Sequence, residues 1–156
     1  MGLLTSMHGR LVYVDAAPFI YFMEKNPAYE RPLDAFFLSM SRGEIQVITS
    51  AMTLAEVLVK PYRQKLWSLA QKYELIFEGT PELTLMPVDS EVGRLAAELR
   101  ASYALLTPDA IHMATAVVHG AEFFLTNDSD FQKADPTDQR LPKLVFVDDL
   151  LPKIPK

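Results

Sequence analysis

The chain has 156 residues and a net charge of −5, with 49% hydrophobic and 22% charged residues. This composition is typical of one globular domain and excludes a disordered chain. The acidic balance is unfavourable for a general nucleic-acid-binding protein, although carboxylates gathered around divalent cations would reverse the local field.

The sequence contains no cysteine, so disulfides, thiolate metal sites and cysteine nucleophiles are excluded. No apolar run is long enough to span a membrane, and the first ten residues lack the features of a signal peptide. We therefore expect a cytoplasmic protein without membrane association. Residues 1–9 are expected to form a loose leader, with Met7 as an alternative start, and residues 151–156 a C-terminal tail.

Five short apolar runs, rich in β-branched and aromatic residues, predict buried strands. They are residues 10–15, 44–50, 83–88, 122–128 and 143–148. The longer stretches between them carry apolar residues at helical intervals. Because strands and helices alternate, we predict one three-layer α/β/α domain over residues 10–150, with a mostly parallel central sheet of about five strands.

Capping residues, prolines and a glycine predict where two of the helices begin and end. Ser50 is expected to cap a helix that Pro61 breaks. Thr107 is expected to cap a second helix, with Pro108 at its first position and Gly120 at its end. This second helix is almost wholly apolar.

Acidic residues stand where the predicted strands end or the next helices begin. Asp15 closes the first strand, Asp109 opens the helix before the fourth strand, and Asp128 closes that strand. Each also has a structural interpretation: Asp15 as a helix cap, Asp109 as a carboxylate at a helix dipole, and Asp128 with Asp130 as turn residues. Ligands of open parallel sheets bind at this edge, so their convergence favours a shared site.

Glu56 is the only charged residue of the nine in "AMTLAEVLV". A helix that is apolar nearly all round is expected to be buried, where an unpaired carboxylate is costly. Glu56 therefore needs a metal or a cationic partner, for which Lys60 and Arg63 are candidates. His112, three residues after Asp109, is interpreted as a hydrogen-bonded core or helix-face histidine rather than a ligand.

Four clustered acids without cysteine, and without histidines in ligand spacing, suit hard divalent ions such as Mg²⁺ or Mn²⁺. Such ions bind phosphates and activate water, so the chemistry predicted is phosphodiester hydrolysis. The sequence has no GxGxxG motif, phosphate-binding loop or G-x-S-x-G motif, which argues against nucleotide cofactors and serine hydrolase chemistry.

Four stretches resemble the motifs of the PIN domain in order and spacing. They are "VYVDAAPFIYFME", "SAMTLAEVLVKP", "LLTPDAIHMATAV" and "FFLTNDSDF". The resemblance covers about residues 10–148 and is closest to VapC-like toxins of bacterial and archaeal toxin–antitoxin pairs. It implies a sheet of strand order 3-2-1-4-5 and a metal-dependent endoribonuclease whose products carry 5′-phosphate and 3′-hydroxyl ends.

The resemblance also implies which residues do the chemistry. The catalytic acids would be Asp15, Glu56, Asp109 and Asp128. The three aspartates among them would hold one or two Mg²⁺ or Mn²⁺ ions, and Glu56 would help to orient the attacking water. Thr126 would steady the site, and Asp130 would be a supporting outer acid. The family often has Ser or Thr after the first Asp, whereas Ala16 stands here and removes a possible hydrogen bond to that carboxylate.

As partners, the resemblance implies an RNA substrate, a cognate antitoxin that binds near the active site, and a homodimer. Two alternatives stay open. One is a PIN-type module that binds RNA or protein and has a weak or silent metal site. The other is a housekeeping RNA-processing nuclease, which shares the chemistry and differs in context.

Overall fold

A computed structural model describes residues 2–152 of the chain. Within them, five strands form one sheet: β1 Leu11–Val14, β2 Gln46–Ser50, β3 Leu83–Met86, β4 Phe123–Thr126 and β5 Lys143–Phe146. The order across the sheet is β3-β2-β1-β4-β5, and every neighbouring pair is parallel. The predicted fold class and strand order are therefore confirmed.

In the same residues, seven α-helices and two short 3-10 helices precede, connect or follow the strands. The α-helices are α1 Leu3–Ser6, α2 Ala16–Met23, α3 Glu30–Ser41, α4 Ala51–Arg63, α5 Trp67–Gly79, α6 Ser90–Tyr103 and α7 Thr107–Val118. The 3-10 helices are Ser129–Lys133 and Val147–Leu150. No helix in residues 2–152 is long and apolar enough to cross a membrane.

The strands contribute alternate side chains to two separate hydrophobic cores. On one face of the sheet, Val12 and Val14 pack in a core that includes residues of α2, α3, α4 and α5. On the other face, Tyr13 and Phe124 pack with α6 and α7. Burial on both faces explains why the strands are continuous apolar runs in the sequence.

The helix after β2 continues through Pro61 to Arg63, so the prediction that Pro61 ends it is wrong. Pro61 lies in the last turn of α4, where its missing N–H removes only one intrahelical hydrogen bond, and its ring is buried. The chain turns a few residues later at Lys65, whose φ is 56°. The helix boundary is therefore set by this left-handed residue and not by the proline.

The helix that carries Asp109 starts at Thr107, one residue before the predicted first position at Pro108, so Thr107 is not its cap. The N-cap position is Leu106, and its side chain makes no capping hydrogen bond. Pro108 lies in the first turn, where a missing N–H costs nothing. Asp109 also lies in this turn, close to the positive end of the helix dipole.

Residues 2–9 pack against the domain, which differs from the predicted loose leader. Met7 is fully buried in the core that includes α3. The Gly9 N–H donates to the carbonyl of Glu44 at 2.8 Å. The segment that contains the short apolar helix α1 is therefore anchored to the core through Met7. Of the predicted tail, Leu151 and Pro152 follow the last 3-10 helix without regular structure, and residues 153–156 lie outside the described residues.

Replacing Met7 by alanine should lower the free energy of unfolding by about 2–5 kcal/mol, because the change leaves a cavity in a packed core. Urea denaturation of the variant and the wild type measures the difference. Thr5→Ala, at an exposed position of the same segment, is the control and should change stability by less than about 0.5 kcal/mol. An unchanged Met7→Ala variant would mean that this segment is loose.

Candidate active site

The candidate site lies at the carboxyl ends of β1 and β4, where the direction of strand addition reverses. β2 and β3 lie on one side of β1, and β4 and β5 lie on the other. The connections that leave β1 and β4 therefore diverge, and such a switch point is where ligands of open parallel sheets bind. Val14 pairs with Leu125 across this junction, so the residues that follow, Asp15 and Thr126, are neighbours.

Asp15 is a buried carboxylate with only one oxygen in a hydrogen bond. Its side chain is at the N-cap position of α2 but makes no capping hydrogen bond, so the helix-cap interpretation is wrong. Thr126 Oγ1 donates to Asp15 Oδ2 at 2.5 Å and accepts from the Asp128 N–H at 3.0 Å. Asp15 Oδ1 is buried and has no hydrogen-bond partner within residues 2–152. Ala16 offers no hydroxyl to satisfy it.

Burial raises the pKa of the Asp15 carboxyl from 3.8 to about 7. The hydrogen bond from Thr126 and the charge of His112 act in the opposite direction, whereas the negative charges of Glu56 and Asp128 raise the pKa further. Glu56 and Asp128 are therefore close enough to Asp15 to interact electrostatically. A divalent cation beside Oδ1 would stabilise the ionised form and offset the cost of burial.

Three further carboxylates form a cluster at this edge. One oxygen from each of Asp109, Asp128 and Asp130 lies within 4.8 Å of the other two. Asp128 Oδ1 accepts from the Asp130 N–H at 2.9 Å, so the predicted turn interaction is present and holds these two acids together. Burial raises the pKa of Asp109, and the charge of Asp128 raises it further. Such mutual repulsion is what a bound cation relieves.

Asp130 lies in this group of three, whereas the sequence suggested a supporting position outside it. Lys133 is nearby, with its Nζ 3.8 Å from Asp130 Oδ1. Both residues belong to the 3-10 helix that follows β4, and their side chains are about half exposed. The pair is therefore a weak, solvent-screened contact that leaves Asp130 accessible.

Glu56 lies outside the group of three, and its side chain is 39% exposed. The prediction of a helix buried all round is wrong, because α4 is amphipathic and the apolar Val59 lies on its solvent face. The buried residues of α4 are Thr53, Val57, Leu58 and Pro61. The suggested cationic partner Lys60 instead pairs with Glu24 at 2.7 Å. The charge of Glu56 nevertheless raises the pKa of Asp109, so Glu56 is part of the same electrostatic site.

His112 meets Glu56, a contact that sequence reasoning missed. It is a buried, hydrogen-bonded histidine on α7, as expected, and its Nε2 contacts Glu56 Oε1. Its Nδ1 lies 2.7 Å from the hydroxyl of Tyr13, which donates to Ser50 Oγ at 2.9 Å. A signal was present in the sequence, since Glu56 and His112 are each an isolated polar residue on an apolar stretch and each requires a partner.

Replacing Asp15 by asparagine should stabilise the metal-free protein more strongly as the pH rises. The pKa of this carboxyl is higher in the folded protein, at about 7, than the usual 3.8. The folded wild type therefore loses stability as the pH increases from about 4 through 7, and asparagine avoids this loss. The difference between variant and wild type should grow by about 2–3 kcal/mol between about pH 5 and 8.

Urea denaturation in EDTA at the two pH values measures this difference. Asp34→Asn, which changes an exposed carboxylate on α3, is the matched control and should give the same small difference at both pH values. If the Asp15→Asn difference were equally independent of pH, the pKa of Asp15 would not be raised.

The family model of the PIN domain matches residues 12–136. The structure is similar to VapBC2 from Rickettsia felis bound to a promoter DNA fragment, with a TM-score of 0.66, 15% identity and coverage of 87% of this chain and 98% of that one. It is also similar to VapC20 of Mycobacterium tuberculosis, described as a sarcin–ricin loop cleaving toxin, with a TM-score of 0.65, 18% identity and coverage of 78% and 92%.

A toxin–antitoxin complex from Klebsiella pneumoniae gives a TM-score of 0.61 at 20% identity, with coverage of 87% of this chain and 97% of that one. No curated protein sequence matches the chain. At these identities the solved structures establish the fold. The family model spans well over half of the sequence, including most of β1 and all of α4, α7 and β4, and the chain therefore belongs to the PIN-domain family.

Proposed function

We propose that the protein is a metal-dependent endoribonuclease and the toxin of a toxin–antitoxin pair. The observation that carries this proposal is the buried, unpartnered Asp15 Oδ1 at the edge where the group of three acids also lies. A buried carboxylate oxygen without a hydrogen bond is costly unless a cation binds it. Oxygen-only donors of this kind suit Mg²⁺ or Mn²⁺.

Asp15, Asp109 and Asp128 are the proposed ligands of this ion. Asp128 links Asp15 to the group of three acids, since its charge raises the pKa of both Asp15 and Asp109. The short distances from Asp130 to Asp109 and Asp128 make it a further candidate ligand. When bound, the ion supplies an activated water and neutralises charge that develops on the phosphate.

The chain's own residues orient the reactants around the ion. Thr126 holds the Asp15 carboxylate through Oδ2 and leaves Oδ1 for the ion. Glu56 is partly exposed, and one of its oxygens is engaged by His112. The other oxygen can accept a hydrogen bond from the attacking water, and Glu56 is therefore the proposed orienting residue and proton acceptor. Cleavage leaves 5′-phosphate and 3′-hydroxyl ends.

RNA is the proposed substrate, and a cognate antitoxin the proposed partner. Membership of the PIN-domain family supports a nuclease, and one similar structure is described as a toxin that cleaves the sarcin–ricin loop. Others are toxin–antitoxin complexes. Tyr62, Leu66 and Trp67, near the turn between α4 and α5, expose large apolar side chains. Such a surface suits contact with an antitoxin or with a second copy in a homodimer.

Asp109→Asn should reduce Mn²⁺-dependent cleavage of RNA by roughly 100-fold or more, because it removes a carboxylate that holds charge at the reaction centre. The assay follows cleavage of structured and single-stranded RNA with Mn²⁺ or with excess EDTA. Asp34→Asn should cleave like the wild type. Undiminished cleavage by Asp109→Asn in EDTA would refute the proposal. Failure of the wild type to bind Mn²⁺ in calorimetry would favour the binding module.

Expression of the protein in a bacterial host should arrest growth, and expression of Asp109→Asn should not, because arrest depends on RNA cleavage. Co-expression of the protein encoded by the neighbouring gene should restore growth, and the two proteins should copurify. Growth curves after induction give the measurement. Unimpaired growth with active, soluble enzyme would instead favour a housekeeping RNA-processing nuclease.

A further inference from the structure

We propose that His112 is the positioning residue of Glu56, and that it fixes the carboxylate through Oε1 so that Oε2 serves the attacking water. The inference rests on the proposed function, since it explains how one of the acids is oriented for hydrolysis. It assigns a role to a buried histidine that is neither one of the predicted ligands nor exposed to substrate.

The contact joins two helices that pack against each other, α4 and α7. His112 is 2% exposed, whereas the side chain of Glu56 is 39% exposed. The contact between Nε2 and Oε1 is the one polar side-chain interaction that Glu56 makes within residues 2–152. Lys60, one turn along α4, is engaged by Glu24 and does not compete.

The histidine ring is itself held in one orientation. Its Nδ1 lies 2.7 Å from the Tyr13 hydroxyl and 3.4 Å from Thr53 Oγ1. The two rings of Tyr13 and His112 meet edge to face, with centroids 5.8 Å apart. Tyr13 in turn stacks on Phe124 at 5.0 Å and donates to Ser50. Since both nitrogens have partners and the ring is buried, it cannot turn away from Glu56.

A purely structural histidine would not need the contact with Glu56. The hydroxyls of Tyr13 and Thr53 already lie within hydrogen-bond distance of Nδ1. The other nitrogen, Nε2, reaches out of the core to the partly exposed side chain of Glu56. A glutamate at such a position otherwise samples several rotamers. The contact restricts it to one, which is the arrangement that an orienting residue requires.

The decisive variants are His112→Leu, which removes the donor, and His112→Gln, which retains an amide donor near the position of Nε2. His112→Leu should lower kcat for RNA cleavage by about tenfold or more. KM and the Mn²⁺ dissociation constant should stay within about threefold of the wild-type values. His112→Gln should recover a large part of kcat. His119→Leu, at the residue that follows the end of α7, is the control and should cleave like the wild type.

A double-mutant cycle separates positioning from general stability. In a Glu56→Gln background, His112→Leu should change kcat by less than about twofold, because the residue acts through the carboxylate. An equal loss of kcat in both backgrounds, or an unchanged kcat in His112→Leu, would overturn the inference. If His112→Leu does not fold, Tyr13→Phe is the substitute, and an unchanged kcat in that variant would also count against it.

A spectroscopic measurement tests the contact of His112 with Glu56 independently of cleavage. In metal-free protein, long-range proton–nitrogen NMR spectra should show a protonated Nε2 of His112 whose resonance shifts in Glu56→Gln and not in Asp34→Asn. If the wild type cleaves no RNA, the proposed function fails and this spectrum decides the inference alone. An Nε2 resonance that does not respond to Glu56→Gln would refute it.

Discussion

The pairing of β1 with β4 is the constraint on which the site depends. It brings Thr126 against Asp15 and commits this carboxylate to a buried place at the centre of the sheet. One oxygen is satisfied by the threonine, and the other faces no partner in residues 2–152. The strand order puts this oxygen at the switch point of the sheet, the position where ligands of open parallel sheets bind.

Other acidic side chains surround this first carboxylate, Asp15. Asp109, Asp128 and Asp130 add negative charge to an edge where Asp15 already resists ionisation. Lys133 offsets part of that charge from the periphery. A divalent ion would balance the remaining negative charge of these side chains. It would also turn a surface that repels phosphate into one that attracts it. An acidic protein can in this way bind a polyanion locally.

The fold could be predicted from the sequence because both faces of the sheet are buried. Val12 and Val14 face one core and Tyr13 faces the other, so β1 is one continuous apolar run in the sequence. The strand order followed from the family resemblance, since no local pattern specifies which strands pair. The sequence alone mispredicts the effect of Pro61, because the cost of a proline depends on its place in the helix, and only the structure shows that place.

The acids of the site were recognisable by their positions after strands and at helix starts, but their grouping was not. Whether Asp130 or Asp15 lies nearer to Asp109 depends on the path of a short 3-10 helix, which sequence patterns do not define. The contact of His112 with Glu56 depends on the packing of α4 against α7. Apolar composition overstated the burial of α4, because Val59 lies on its exposed face.

The contacts at the candidate site join residues far apart in the sequence, and this has a consequence for how the site assembles during synthesis. The hydrogen bond from Thr126 to Asp15 closes a loop of 111 residues, and the contact of His112 with Glu56 closes one of 56. Contacts of such range form late, because the entropy of closing long loops must be overcome first. A nascent chain that has not yet completed β4 lacks Thr126 and Asp128 altogether. The candidate site is therefore incomplete until nearly the whole domain has folded.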